Sequence, residues 1–156
     1  MRRYFIAMLA LILVSAAFVS CDKFEDGRPA GSVLSEFERM YPDAKDVEWE
    51  PDMLNWKVSF ELGTPPDVTE HEAWYDRDGK WLRTESDILQ NALPQVVKDA
   101  LDASEYASAV LSAGDIEYVE TPEGNYYQLE VKYNGAEVKL KVTEDGDISL
   151  VGVDLF

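Results

Sequence analysis

Two stretches decide how this chain folds: Tyr75-Asp76-Arg77-Asp78-Gly79-Lys80-Trp81 and Val142-Thr143-Glu144-Asp145-Gly146-Asp147-Ile148. They align without a gap at an offset of 67 residues. Each holds Asp-Gly between two short alternating runs, which predicts a two-residue hairpin turn at Asp78-Gly79 and another at Asp145-Gly146. On the near side of the first turn, Ala73 and Tyr75 alternate with Glu72, Trp74 and Asp76; Lys80 to Thr84 form the return strand. On the near side of the second, Val138, Leu140 and Val142 alternate with Lys139, Lys141 and Thr143; Ile148, Leu150 and Val153 belong to the last strand.

Further out the match continues. Trp56-Lys57-Val58-Ser59-Phe60 corresponds to Tyr127-Gln128-Leu129-Glu130-Val131. Trp56, Val58, Phe60 and Leu62 fall on one face, as do Tyr127, Leu129, Val131 and Tyr133, with polar residues between them. Period two is the mark of half-buried antiparallel strands. Val47 and Trp49 open the first set; Ile116, Tyr118 and Val119 open the second. Asn134-Gly135 predicts a further hairpin turn.

Ahead of each set the period changes to 3.6. Val33, Leu34, Phe37, Met40 and Tyr41 make one helical stripe, with Ser32 as the expected N-cap and Pro42 as the stop. Leu93 to Leu101 is the second helix, with Pro94 in its first turn and Val96, Val97, Ala100 and Leu101 as its stripe. Tyr106 to Leu111 reads as a short helical or loop stretch. The fold class is therefore α+β: two tandem repeats, residues 33–85 and 93–150, each one or two helices followed by a four-stranded antiparallel sheet. Neither unit has much core alone, so the two are expected to pack together.

The start of the chain reads as a targeting signal. Arg2 and Arg3 precede an apolar run, Tyr4 to Val19, broken only by Ser15. That is the layout of a secretory signal peptide over residues 1–20. The run is shorter than the roughly 20 apolar residues of a membrane span. Cys21, the only cysteine, stands where the run stops and resembles the lipidated first residue of bacterial lipoproteins. Phe18-Val19-Ser20 depart from the usual box before it; ordinary cleavage near Ala16 or Ala17 with a free Cys21 is the competing reading. Residues 21–32 then form a polar tether with Gly27, Pro29 and Gly31.

Composition narrows the function. The 156 residues carry 14 Lys+Arg against 31 Asp+Glu, a formal net charge of −17. Nucleic acid is excluded as a partner, since phosphate binding needs clustered cations. The same imbalance argues against docking on anionic lipid, so any membrane contact is through the lipid anchor alone. One Cys and one His rule out an intrachain disulfide and multi-thiolate or multi-histidine metal sites.

At this point the residues carry a family resemblance. The helix ending in Tyr41-Pro42-Asp43-Ala44, then Val47-Glu48-Trp49, Trp56-Lys57-Val58-Ser59-Phe60 and Trp74-Tyr75-Asp76-Arg77-Asp78-Gly79-Lys80-Trp81-Leu82, resembles the PepSY-like family of secreted bacterial proteins. Leu93-Pro94 and Tyr126-Tyr127-Gln128-Leu129-Glu130-Val131 extend the resemblance over residues 33–150. It implies the fold of the β-lactamase inhibitory protein, and a lipoprotein of the Gram-negative envelope. It brings no catalytic residues with it, and fold alone does not license a function.

Counting from Asp76, a calcium loop would need an oxygen ligand, Gly and Glu at its fifth, sixth and twelfth positions; Lys80, Trp81 and Asp87 stand there, so a turn is the better reading. His71, flanked by Glu70 and Glu72, lacks a recognisable nucleophile and reads as an exposed loop histidine. No cofactor is implied. Trp49, Trp56, Tyr75, Trp81, Tyr127 and Tyr133 read as core. Trp74 and Tyr126 fall on the opposite side of their strands, where Trp74 aligns with the solvent-side Lys141. An exposed Trp on a sheet face is an interface anchor. The expected activity is thus non-catalytic binding of a protein or peptide in the cell envelope, inhibitory in character. Trp74 and Tyr126 would be anchors, with Glu72, Glu130, Lys132, Lys139 and Lys141 around them. A hydrolase on envelope glycans or peptides, or a structural protein without a ligand, are the alternatives; a deep cleft with paired carboxylates would mark the hydrolase.

Overall fold

The computed structural model describes residues 28–155, with the backbone alone at 112–115 and 153–155. The expected signal peptide at 1–20 and the expected lipidation at Cys21 lie outside these residues. Helix α1 (Gly31–Met40) is followed by β1 (Lys45–Asp52), β2 (Asn55–Thr64), β3 (Asp67–Asp76) and β4 (Trp81–Asp87). A 3-10 turn (Gln90–Ala92) leads into α2 (Gln95–Asp102), then β5 (Val110–Glu120), β6 (Tyr126–Tyr133), β7 (Ala136–Thr143) and β8 (Ile148–Leu155). Core packing includes residues ahead of Val33: Pro29 is buried and Ala30 packs against the first core cluster.

The strands form one antiparallel sheet of eight in chain order, β1 to β8. The alternation predicts a separate four-stranded sheet for each half. Instead β4 pairs with β5 through Thr84↔Glu120, Glu85↔Val119, Ser86↔Tyr118 and Asp87↔Glu117. This seam keeps the faces continuous. Buried Ala73 stands beside Thr84, Ser86 beside Tyr118, and buried Ile116 beside Leu129. Both helices therefore lie on one face, the inner face, and the other face carries no helix among the described residues.

Two core clusters fill the inner face. The first joins Val33 and Phe37 of α1 to Trp56, Val58, Phe60, Ala73 and Tyr75. Phe37 is its hub, edge-on to Phe60 at 5.1 Å and to Trp49 at 5.3 Å between ring centroids. The second joins Val97 and Leu101 of α2 to Ile116, Leu129, Val131, Val138, Leu140 and Val142. Each helix commits two side chains one turn apart, the spacing that keeps both on one stripe.

Local chemistry explains the element ends. α1 closes where the Tyr41 amide donates to the Phe37 carbonyl at 2.8 Å, one residue before Pro42. Its N-cap is Ala30 with no side-chain cap, so Ser32 is not the cap; it lies inside the helix, exposed. α2 starts one residue after Pro94, whose missing N–H costs nothing there. The two Asp-Gly turns are longer than two residues. The Gly79 amide donates to the Asp76 carbonyl and the Asp76 amide to the Lys80 carbonyl; Gly146, Thr143 and Asp147 repeat both bonds. The first residue of each turn also caps it, with Asp76 Oδ1 accepting from the Lys80 amide at 2.9 Å and Thr143 Oγ1 from the Asp147 amide at 3.1 Å. Glycine in the left-handed region then closes a three-residue loop with a bulge, at φ +96° for Gly79 and +92° for Gly146. Asn134-Gly135 is a true two-residue turn, with both residues at positive φ between paired Tyr133 and Ala136. Val110 and Leu111 belong to β5, not to a helix or loop. A register shift between Leu111 and Ile116 hides their alternation.

Candidate binding face

The outer, helix-free face is built from the residues that alternate with the core rows along each strand. One row runs Glu50, Lys57, Trp74, Arg83 across β1 to β4. The next runs Glu48, Ser59, Glu72, Glu85, Val119, Tyr126 and Thr143 from β1 to β7. Thus the seven residues expected at a binding surface do share a face, since Glu130, Lys132, Lys139 and Lys141 hold the same parity on β6 and β7.

Trp74 differs from expectation. It points outward but is only 6% exposed. The Arg83 guanidinium lies 3.9 Å above its ring and Lys57 Nζ 6.0 Å from it. Its indole Nε1 donates to Asp52 Oδ2 at 2.8 Å. Trp74 is therefore a floor beneath a cationic layer, not a protruding anchor. Val119, also on this face, is fully buried between Glu85 and Tyr126. Tyr126 is half-buried, with Lys141 Nζ 4.1 Å over its ring. Such cation–π contacts hold aliphatic stems flat on apolar surface while the charged heads stay wet.

Charges tile the rest. Lys57 Nζ donates to Glu72 Oε1 at 2.9 Å and lies 2.7 Å from Glu50 Oε1; these bonds hold the ammonium above its ordinary pKa. Lys139 pairs with Glu130 at 2.6 Å, with the same effect. Lys132 is exposed. Arg83 Nε sits 2.8 Å from Glu85 Oε1 but off line for a hydrogen bond. Burial holds Glu85 above the usual carboxylate range; the facing Glu117 and Glu72 add to this against the pull of Arg83. Burial likewise raises the Tyr126 phenol, with Glu85 next.

The carboxylates converge at one place. Glu70, Glu72, Glu85, Asp87 and Glu117 ring a depression of about 120 Å³ beside His71. A raised carboxyl among acids is a feature of acid–base sites. Ligand clefts, however, hold about 300–1,000 Å³, several times this volume. Among the described residues no group of three or more His, Cys, Asp or Glu is placed to hold a metal ion. Asp76 is instead engaged as a turn cap, accepting from the Asp78 and Lys80 amides.

His71 is not in a loop. It lies within β3, half-buried, its ring stacked on Phe60 at 5.4 Å. Thr69 Oγ1 is 2.7 Å from Nε2 and Ser86 Oγ 2.7 Å from Nδ1, so each nitrogen faces a hydroxyl. Burial lowers its pKa. A triad of the usual arrangement has a carboxylate on Nδ1, where Ser86 stands here.

Sequence reasoning missed two features. Met53 and Leu54 form an apolar hairpin tip, 92% and 74% exposed, held by Arg77, which donates to both carbonyls. An open groove of about 1020 Å³ lies between Val68, Ile88, Leu89 and Lys98 of α2. The Met-Leu pair carried a signal, two apolar residues where a turn was due; the groove carried none, because distant segments make it. No described helix is long and apolar enough to cross a membrane.

A family model described as "Putative beta-lactamase-inhibitor-like, PepSY-like" matches residues 55–149. A BLIP-like protein from Bacteroides fragilis is 25% identical, with a TM-score of 0.68, over 81% of this chain and 86% of that one. A DUF2874 family protein from Bacteroides ovatus is 25% identical, with a TM-score of 0.68, over 83% and 88%. One of the "putative periplasmic proteins" of Bacteroides eggerthii shares the fold at 20% identity and a TM-score of 0.66, over 82% and 89%. No curated protein matches the chain.

Proposed function

Because the chain belongs to the PepSY-like family, we propose that it is a non-catalytic, inhibitor-like envelope protein that grips a polypeptide with its helix-free sheet face. One observation carries this reading: that face is a broad, pre-formed layer of cations and carboxylates over a buried apolar floor, Trp74 and Val119, with Tyr126 half-open beside it. Protein interfaces of this kind place an aromatic and Arg centre inside a polar rim. Tyr126, Lys141 and Arg83 are the centre; Glu72, Glu130, Lys132 and Lys139 are the rim; Trp74 supports them from below.

The two halves are copies of one unit, 33–85 and 93–150. Their Asp-Gly turns carry the same hydrogen bonds at an offset of 67, and Phe60 and Val131 are buried alike. Residues 1–20 are the export signal, Cys21 the lipidated residue and the stretch from there to Arg28 the tether that places the domain in the periplasm or at the cell surface, since Pro29 and Ala30 pack on the core and Gly31 and Ser32 belong to α1. Intact mass of the native protein tests the anchor: acylated Cys21 is expected, and a free thiol there removes it from the account.

The binding claim is tested with the chain from Asp22 onward, immobilised in envelope extract. Wild type is expected to retain a polypeptide that Tyr126→Ala and Lys141→Glu lose. A hot-spot substitution costs about 2 kcal/mol or more, roughly thirtyfold in affinity. Undiminished capture by both variants would show that the face is not the site.

A further inference from the structure

Among the described residues the sheet has two free edges, β1 and β8, and they are built differently. β1 is guarded. Its pairing shifts between Lys45 and Glu48, Asp46 sits at φ +48°, Pro51 has no N–H to offer, and Lys45, Asp46, Glu48, Glu50 and Asp52 charge it along its length. Bulges, proline and charge are the usual means of keeping an edge from pairing. β8 has little of this. From Ile148 to Val153 it contains neither charge nor proline, and Leu150 and Val151 are each 54% exposed.

The fold already shows what such an edge does. Glu72↔Glu85 and Lys139↔Gly152 are equivalent pairs, both members displaced by 67. The stretch Thr84–Asp87 of β4 therefore corresponds to Val151–Asp154 of β8. In β4 that stretch is the seat of β5; in β8 no described strand fills it. The register shift of β4 against β3 leaves out Leu82, ahead of the stretch that seats β5; that of β8 against β7 leaves out Val151, the first residue of the corresponding stretch, so Gly152–Asp154 carry the comparison.

We propose that the β8 edge is a strand-acceptor site whose occupant is β8 of a second copy, paired antiparallel about a two-fold axis. Charge selects that occupant. In a chain of net −17, Ile148–Val153 is a charge-free seam along which two copies can approach. Two-fold pairing sets Val151 opposite Gly152 and Asp154 opposite Ser149, so no like charges face each other. β1 of a second copy, the formal counterpart of β5, is kept out by Pro51 and its acids. The contact is isologous and closes at a dimer instead of growing into a filament.

Light scattering or sedimentation of the chain from Asp22 onward, across a broad concentration range, tests this. The expected result is a mass that doubles with concentration for wild type and for Leu54→Lys. Val151→Lys and Leu150→Lys should stay monomeric, with melting unchanged at low concentration. Amides of 151–154 should exchange more slowly in the dimer. A wild type monomeric at every concentration overturns the proposal, whether or not β8 then accepts an extended foreign peptide. So does a dimer that survives Val151→Lys, or one that Leu54→Lys abolishes, since the hairpin tip would then be the contact.

Discussion

At the scale of single residues, Trp74 and Trp56 bear most directly on the account. Both are nearly buried, Trp56 at 3% in the first core cluster and Trp74 at 6% on the other face. Alternation alone told which face each would take, because neighbours along a strand point opposite ways. It did not tell that Trp74 would be covered. The cover comes from Arg83 on the next strand and Asp52, 22 residues away, and their approach depends on register. Trp56→Ala is expected to cost about 3–5 kcal/mol, the usual loss for an emptied aromatic core site. Trp74→Ala is now expected to destabilise too, by about 2–3 kcal/mol, since only side-chain cover and not a packed core closes over it. Denaturant midpoints of the two variants check the order; a silent Trp74→Ala contradicts the buried floor. Glu85 gives a pH test. Its folded pKa is raised, so the folded state binds its proton more tightly than the unfolded chain does. The penalty for its charge is complete above the folded pKa and disappears as pH falls through it towards the unfolded value. Glu85→Gln should therefore raise the melting temperature at neutral pH, with the gain shrinking in mild acid. A loss at pH 7 would mean that the Arg83 contact outweighs burial and the neighbouring acids.

Among the elements, the Asp-Gly turns are the most constrained. A Cβ on Gly79 would meet the Ser32 backbone at 3.0 Å, and one on Gly146 the Val96 side chain at 3.3 Å. Each turn thus lies against the first turns of the helix of its own half. Gly79→Ala is expected to cost more than the ~1–2 kcal/mol of a left-handed non-glycine residue, because backbone cannot yield. Gly146→Ala should stay near that figure, because a Val rotamer can. Thermal melts of the pair check the ranking, and equal losses contradict it. The sequence showed that these turns exist and where they lie. Their length was not legible, because it is set by whether the Asp76 and Thr143 side chains cap the following amides. Nor was the start of β5, whose alternation is interrupted by the shift before Ile116. The helices were legible to within two residues because Pro42 and Pro94 bracket them, although the cap at Ser32 was not.

For the molecule as a whole, periodicity told which side chains face inward, but not how the strands join into a sheet. Parity says which way a side chain points; it says nothing about which edges meet. Hence one sheet of eight strands stands where two of four were expected, and the candidate face spans both halves instead of repeating on each. The seam is testable because all 4 Trp, at 49, 56, 74 and 81, lie in the first half. Trp fluorescence follows that half alone, whereas far-ultraviolet dichroism follows both. Coincident unfolding curves are expected if the β4–β5 ladder couples the halves; separated curves would make them independent domains. The central claim is that the helix-free face meets a polypeptide, and site-specific photo-crosslinking in the native envelope tests it most directly. A probe at Ser59 or Gln128 on the outer face is expected to trap a discrete partner, and one at Leu34 or Ser35 on α1 is not. Adducts from α1 alone, or none from the outer face, would contradict the account.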